Sequence, residues 1–198
     1  MIFDKIRSDI MVSDPEFNAL YPPGIRQAAA IHFTPIAVAT LAARFLAAKP
    51  GTKVLDIGSG AGKFCMIGSV CTEGHFTGVE QREKLDDLAK RIAKRYGLTR
   101  VNFIHANITE IDFQAYDAFY LFNPFYENID QTGPIDDSIE LNRRLYLHYS
   151  LHVRSRLEKM PRGTRLVTYF SYLEEIPPEY TLQLESIEGK LKFWEKVN

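Results

Sequence analysis

The sequence predicts one α/β domain with a doubly wound, mostly parallel, seven-stranded sheet and a C-terminal antiparallel hairpin. Short apolar strand segments alternate with amphipathic helical segments along the 198 residues, a pattern typical of parallel sheets covered by helices on both faces. Two alternating segments around residues 188–189 indicate the hairpin. A chain of this length buries one core, and its 45% hydrophobic and 25% charged residues are ordinary for a globular protein.

The first helix of this domain follows an irregular leader, residues 1–33. Thr34 is a suitable N-cap, proline is favoured at the next position, and Lys49-Pro50-Gly51 ends the helix. The predicted strand segments are 53–57, 75–80, 101–106, 117–122 and 164–170. The predicted helical segments are one that follows the glycines after the first strand and ends at about Val70, and two that cover 82–96 and 137–159. We therefore place the domain at residues 34–198 and interpret residues 1–33 as a leader or lid.

Composition argues against several classes of partner. The net charge of -1 provides no overall basic field for a polyanion. Neither the two cysteines nor the five histidines have metal-binding spacing. The charged N-terminus does not resemble a signal peptide, and His32, Pro35 and Arg44 interrupt the most apolar stretch. We expect a cytoplasmic protein that does not bind a membrane.

A glycine-rich segment, DIGSGAGKF, extends from Asp56 to Phe64 directly after the first strand segment. A phosphate-binding P-loop requires Ser or Thr at the position of Phe64. The spacing between Gly58 and Gly62 is also one residue shorter than that between the two glycines of a P-loop. These two differences exclude a P-loop. The dinucleotide fingerprint has its third glycine where this chain has Lys63, and Asp56 would repel a diphosphate. The Asp56 carboxylate suits the ammonium group of a methionine moiety instead.

The segment VLDIGSGAGKF resembles motif I of the class I S-adenosylmethionine (SAM)-dependent methyltransferases. In that family the second strand ends in an acidic residue that binds both ribose hydroxyls, and Glu80 ends the second strand segment here. The resemblance implies SAM as cofactor, S-adenosyl-L-homocysteine as product, and no metal, because the sulfonium is already activated. The cofactor-binding residues that it implies are Asp56, Gly58, Ser59, Gly60, Gly62, Glu80, Gln81, Asn107, Asn123 and Thr34.

Three of these residues allow a second interpretation. Asn107 follows the third strand segment where the family has an adenine contact, but it is equally suited to an ordinary turn. Gln81 stands where the family often has an apolar residue against adenine. The His-Phe-Thr-Pro segment that contains Thr34 resembles the Phe-Thr-Pro segment beside the methionine carboxylate in adenine amino methyltransferases, although helix capping alone explains it.

A second motif, Asn123-Pro124-Phe125-Tyr126, follows the fourth strand segment, at the sheet edge where ligands bind. It resembles the Asn/Asp-Pro-Pro-Tyr/Phe motif of methyltransferases that act on amino or amide nitrogens. There the Asn side chain and the proline carbonyl accept hydrogen bonds from the target NH2, and the aromatic ring packs on the target. The resemblance implies catalytic roles for Asn123, Pro124 and Tyr126. Phe125 replaces the second proline, and a turn with core aromatics is the structural alternative.

These motifs predict methyl transfer by in-line displacement to a nitrogen of a protein side chain, an RNA or a small amine. DNA is disfavoured because no target-recognition domain is left over. A non-catalytic SAM-binding module is the main alternative, and an NAD-dependent oxidoreductase is less favoured because no Tyr-x-x-x-Lys pair is evident. Glu127, Asp130, Asp136 and Asp137 suit either a cationic acceptor or simple solvation. The sequence specifies neither the acceptor nor the oligomeric state.

Overall fold

A seven-stranded sheet lies at the centre of the fold. The computed structural model describes residues 1–130 and 132–198, without the side chains of residues 30 and 31. The strands are β1 (Lys53–Ile57), β2 (His75–Glu80), β3 (Val101–His105), β4 (Ala118–Phe122), β5 (Arg165–Tyr169), β6 (Tyr180–Ser186) and β7 (Leu191–Lys196). Their order is β3-β2-β1-β4-β5-β7-β6; β1 to β5 are parallel, and β7 is antiparallel to both its neighbours. The predicted fold class is confirmed.

Helices cover both faces of this sheet. They are α1 (Ile2–Arg7), α2 (Asp14–Asn18), α3 (Pro23–His32), α4 (Ile36–Leu46), α5 (Lys63–Cys71), α6 (Glu83–Arg95) and α7 (Arg143–Leu157). Val54 on β1 belongs to the apolar cluster formed with α4, α5 and α6, and its neighbour Leu55 to the cluster formed with α7. The central strands are therefore buried on both sides, as parallel strands usually are. None of the helices within the described residues has the length and apolar character needed to cross a bilayer.

The strand order determines where a ligand can bind. Chain connections run from β1 outward to β2 and β3, and then return to β4 on the other side of β1. In such sheets a crevice forms outside the carboxyl ends of the strands at this switch point. The glycine-rich loop follows β1, Glu80 ends β2, and Asn123 follows β4. All three predicted features therefore lie at the same edge.

Residues 1–33 are not irregular as predicted, because they contain α1, α2 and α3. Phe3 and Phe17 are buried in the cluster shared with α4 and α5. The Ser13 hydroxyl caps α2 by accepting a hydrogen bond from the Glu16 amide at 3.3 Å. The three helices have 6, 5 and 10 residues, too few for hydrophobic periodicity to reveal α1 and α2. Packing against the domain, rather than intrinsic helix propensity, stabilises such short helices.

The start of α4 also differs from the prediction. Pro35 occupies the N-cap position, so Thr34 lies outside the helix and does not cap it. The Thr34 hydroxyl is instead hydrogen-bonded to the Tyr120 hydroxyl at 3.0 Å. Because Tyr120 lies on β4 in register with Asp56, this bond connects the segment before α4 to the sheet. The capping interpretation of Thr34 is wrong.

Two further boundaries were predicted inaccurately. The last helix, α7, begins at Arg143 and not near residue 137. The Asn142 side chain caps its start by accepting a hydrogen bond from the Leu145 amide at 3.0 Å. The C-terminal hairpin has a longer connection than the predicted two-residue turn, from residue 187 to residue 190. Ile187 and Glu188 both have positive φ, at 55° and 56°. A β-branched residue at positive φ is unusual, and for that reason the sequence did not indicate this turn.

Gly62 provides a test of the packing between the glycine-rich loop and β3. Its φ is 79°, and a Cβ at this position would lie 2.5 Å from Phe103 Cε1 and 2.9 Å from Ala89 Cβ. Left-handed strain and overpacking together predict that Gly62→Ala lowers the free energy of unfolding by about 2–5 kcal/mol. Urea denaturation measures the change. Gly97→Ala is the matched control, because φ there is 64° and no atom lies within 4 Å. Equal losses in both variants would contradict the packing argument.

Candidate active site

A cavity of about 670 Å³ opens at the carboxyl ends of β1, β2 and β4. The predicted residues that line it are Thr34, Asp56, Gly58, Ser59, Gly60, Glu80, Gln81, Asn107, Asn123, Pro124 and Tyr126. This volume is in the range of cofactor and small-ligand sites. Gly62 is not part of the described lining and faces Phe103 and Ala89. We therefore assign Gly62 to helix–strand packing instead of the predicted cofactor contact.

Gly58 brings the two sequence motifs into contact. A Cβ at Gly58 would lie 2.6 Å from Pro124 Cβ and 3.8 Å from the Pro124 carbonyl oxygen, and φ is 77°. A side chain is excluded here, so glycine permits the close approach. The Gly58 and Ser59 amides donate to the Val79 carbonyl at 3.0 Å each. The loop after β1 is thus fixed to the end of β2, with the motif after β4 directly against it.

The Glu80 carboxylate is buried and held by two backbone amides. Oε2 accepts a hydrogen bond from the Gly60 amide at 2.9 Å, and Oε1 accepts one from the Arg82 amide at 2.9 Å. Burial raises the pKa of Glu80, although the Arg82 amide and charge and the Gly60 amide lower it. Each carboxylate oxygen has a second lone pair, so Glu80 can also accept two hydroxyl donors. This arrangement suits the paired hydroxyls of a ribose.

Asp56 supplies a second buried carboxyl group to the cavity. Its exposed fraction is 3%, and Cys65 Sγ donates to its Oδ2 at 3.4 Å. Burial raises the pKa of Asp56 to about 8, the bond from Cys65 lowers it, and the Glu80 charge raises it further. A cationic ligand would favour the carboxylate and oppose the effect of burial. Asp56 is therefore suited to an ammonium group and unsuited to a phosphate.

The Asn107 side chain is occupied by protein contacts. Its Oδ1 accepts hydrogen bonds from the Thr109 amide at 3.0 Å and the Thr109 hydroxyl at 2.9 Å. Its Nδ2 donates to the Tyr149 hydroxyl at 2.9 Å and to Gln81 Oε1 at 3.4 Å. These bonds favour the turn interpretation of Asn107 that the sequence left open. The adenine contact stays a prediction.

The segment after β4 contributes an unpaired polar atom to the cavity. Asn123 has a φ of 40°, which asparagine tolerates better than most residues. Its Oδ1 is buried and has no hydrogen-bond partner among the described residues. Leaving a buried acceptor unpaired costs about 1–3 kcal/mol, which a ligand N–H would offset. Tyr126 lies beside it, and its hydroxyl donates to Asp130 Oδ2 at 2.7 Å.

Aromatic residues at the cavity mouth were missed by sequence reasoning. Phe170 and Tyr172, in the connection from β5 to β6, line the cavity and are 45% and 56% exposed. The Tyr172 ring lies 6.1 Å from the Tyr126 ring, at an interplanar angle of 30°. The Phe170 ring lies 6.2 Å from that of Phe122. Single aromatic residues after a strand have no periodicity, so only the strand order could have indicated their position.

Lys63 has a structural role that the sequence did not indicate. Its Nζ lies 2.5 Å from Asp14 Oδ1 and 3.0 Å from Asn18 Oδ1, and its side chain is 3% exposed. Burial lowers the pKa of Lys63, and the bond and charge of Asp14 raise it. Because Lys63 begins α5 directly after the glycine-rich loop, this ion pair connects the N-terminal helices to the site.

Comparison with known proteins identifies the family. Residues 48–185 match the family described as "Methyltransferase domain", and the chain belongs to this family. The match confirms the predicted enzyme class, a methyltransferase. A search of curated protein sequences gave no match.

Solved structures share the fold at low sequence identity. TrmN from Thermus thermophilus has a TM-score of 0.61 at 22% identity, covering 86% of this chain and 52% of that chain. An RNA methyltransferase from Salinibacter ruber, in complex with S-adenosyl-L-homocysteine, has a TM-score of 0.57 at 18% identity, covering 83% and 94%. The cyclase SpnF has a TM-score of 0.51 at 18% identity, covering 67% and 43%, so this chain spans less than half of it. Such likeness shows the fold and not the chemistry.

Asp56→Asn tests the buried carboxyl group. Because its pKa is raised from 3.8 to about 8, the folded protein keeps this proton over a pH interval in which the unfolded chain releases it. The free energy of unfolding therefore falls as pH rises through that interval, and the fall should be smaller in Asp56→Asn. Urea denaturation of the ligand-free protein at several pH values measures it. Asp87→Asn, on the exposed face of α6, should keep the wild-type pH dependence; identical profiles for Asp56→Asn and wild type would contradict the assignment.

Proposed function

We propose that this methyltransferase binds SAM in the cavity and methylates an amino or amide nitrogen held by Asn123. The observation that carries the proposal is the buried, unpaired Asn123 Oδ1, which lines the cavity next to the glycine-rich loop. Glu80 binds the ribose, and Asp56 faces the methionine ammonium group. The complex of the Salinibacter ruber methyltransferase with S-adenosyl-L-homocysteine supports this choice of cofactor.

The residues of the acceptor side align the nucleophile. Asn123 Oδ1 accepts one N–H of the acceptor, and the Pro124 carbonyl accepts the second. These two bonds orient the nitrogen lone pair along the line of displacement, which is the main requirement of methyl transfer. The new N–C bond forms as the C–S bond of SAM breaks, and the proton of the methylated nitrogen leaves to solvent. S-adenosyl-L-homocysteine is the other product.

The aromatic residues at the mouth support a planar or cationic acceptor. The Tyr126 and Tyr172 rings are nearly parallel at 6.1 Å, and aromatic faces attract cations and pack on flat groups. A nitrogen of an RNA base, a protein side chain or a small amine meets this description. The Salinibacter ruber RNA methyltransferase shares the fold, so RNA is tested as a separate arm of the assay.

Transfer of labelled methyl groups tests the proposed function. Purified protein is incubated with radiolabelled SAM and with the RNA, protein and small-molecule fractions of a cell lysate. We expect one fraction to retain label after incubation with the wild type and to retain much less after incubation with an Asn123 variant. Binding of SAM with no label in any fraction would favour the alternative of a non-catalytic SAM-binding module, and calorimetric binding of NAD without SAM would defeat the proposal.

Glu80→Gln tests the ribose contact. A neutral amide keeps the size of the side chain but provides a weaker acceptor for two hydroxyls. Loss of charge-assisted bonds of about 1.5–3 kcal/mol predicts roughly tenfold to hundredfold weaker SAM binding by calorimetry. Glu83→Gln, in the exposed first turn of α6, is the matched control and should bind SAM as the wild type does. An unchanged affinity in Glu80→Gln would mean that the ribose binds elsewhere.

Asn123→Gly tests the acceptor contact. Glycine adopts the positive φ at no steric cost, so the variant removes the side chain without backbone strain. Misalignment of the nucleophile predicts a loss of methyl transfer of about a hundredfold, with SAM affinity within about twofold of wild type. Asn123→Asp keeps an acceptor oxygen and should retain more activity than Asn123→Gly. Comparable methyl transfer by Asn123→Gly and wild type would reject the role of this side chain.

A further inference from the structure

Arg82 is a buried arginine that neither sequence motif includes. It is the N-cap residue of α6, and its side chain is 5% exposed. Nε donates a hydrogen bond to Asp136 Oδ1 at 3.0 Å, and Nη2 forms an ion pair with Glu127 Oε2 at 3.0 Å without a hydrogen bond. Glu127 and Asp136 are therefore paired with a cation of the protein itself. The sequence had left both open as solvated residues or as residues that attract a cationic acceptor.

These two carboxylates fix the chain that follows the acceptor motif. Glu127 follows Tyr126 directly, and its second oxygen, Oε1, accepts a hydrogen bond from the Ile135 amide at 2.6 Å. Asp136 Oδ1 also accepts hydrogen bonds from the Ser138 amide at 3.1 Å and the Ser138 hydroxyl at 2.6 Å. Tyr126, Glu127 and Ile135 all line the cavity, and we call them the acceptor wall. One guanidinium group thus contacts Glu127 within the acceptor wall and Asp136, the residue that follows Ile135.

The backbone of Arg82 connects this wall to the cofactor side. Its amide donates to Glu80 Oε1 at 2.9 Å, while Gly60 donates to the other oxygen of the same carboxylate. The backbone and the side chain of Arg82 therefore contact different halves of the cavity. A substitution removes the guanidinium group and keeps the amide, so the two contacts can be separated experimentally.

We propose that Arg82 is a positioning residue that sets the acceptor wall against the cofactor, an inference that rests on the function proposed above. The Arg82 guanidinium donates to Asp136 through Nε and places the charge of Nη2 against Glu127, whereas a lysine ammonium is a single point charge that lacks this planar geometry. The Glu127 and Asp136 side chains are 13% and 29% exposed, so removing the guanidinium leaves two partly buried carboxyl groups without their cation. The acceptor wall then loosens, and the cofactor half stays in place.

Site-resolved amide exchange by NMR, with S-adenosyl-L-homocysteine as the probe, tests this separation. The Gly60 amide reports on the cofactor half because it donates to Glu80, and the Ile135 amide reports on the acceptor wall because it donates to Glu127. In Arg82→Lys we expect the Ile135 amide to exchange about tenfold faster than in wild type. Exchange of the Gly60 amide and the affinity for S-adenosyl-L-homocysteine should both stay within about twofold of wild type.

A charge-neutral variant separates positioning from stability. Arg82→Met combined with Glu127→Gln and Asp136→Asn removes the cation and both carboxylates, so no uncompensated buried charge remains. This variant should recover the wild-type Tm. Its transfer of label from SAM to the lysate fraction that the wild type methylates should nevertheless be about tenfold lower than that of the wild type. Arg154→Lys is the matched control, because its pair with Glu158 is on the surface, with side chains 38% and 43% exposed. It should leave both amides and the methyl transfer as in wild type.

Four results distinguish the possible failures. Unchanged Ile135 exchange in Arg82→Lys, or Gly60 exchange that rises together with it, would overturn the proposal. Methyl transfer that recovers with the Tm in the charge-neutral variant would also overturn it, because Arg82 would then only stabilise the fold. If the proposed function itself is wrong, S-adenosyl-L-homocysteine leaves Gly60 exchange unchanged in the wild type.

Discussion

The arrangement of this site depends on how the Glu80 carboxylate is held. One oxygen accepts the amide of Gly60 in the loop after β1, and the other accepts the amide of Arg82 at the start of α6. A buried carboxylate without donors is costly, so these two segments and the end of β2 are constrained to meet at this point. With the loop fixed, Gly58 brings it against Pro124, and the segment after β4 takes its place relative to Glu80.

Two buried cations extend this constraint to segments outside the sheet. Lys63 holds α2 through Asp14, and Arg82 holds the acceptor wall through Glu127. Buried ion pairs add little net stability, but breaking one leaves an uncompensated charge. Their effect is therefore to select one arrangement of the attached segments. Lys63 lies three residues after Gly60 and Arg82 lies two residues after Glu80, so both cations support segments that line the cavity.

How far the sequence predicts this structure depends on the distance along the chain between interacting residues. The bounds of β2, the glycine-rich loop and Glu80 follow from local patterns, because a buried strand and a tight loop each require particular residue types in sequence. The partners of Lys63 and Arg82 lie 49 and 54 residues away, and no local pattern indicates such pairs. The exposed rings of Phe170 and Tyr172 were missed for the same reason, since strand order alone brings Phe170 to Phe122 and Tyr172 to Tyr126.

The two halves of the cavity differ in the kind of atom that defines them. Backbone amides of Gly60 and Arg82 hold the carboxylate on the cofactor side, and most substitutions leave a backbone donor intact. Around Asn123 the groups include side chains on connections between strands, which are the Asn123 amide, the Tyr126 and Tyr172 rings and the Arg82 guanidinium. The Pro124 carbonyl adds a backbone acceptor to them. This chain shares its fold at 18% identity with proteins named as a methyltransferase and as a cyclase, so the fold alone does not determine the reaction, and the side chains that line the cavity have to be tested directly.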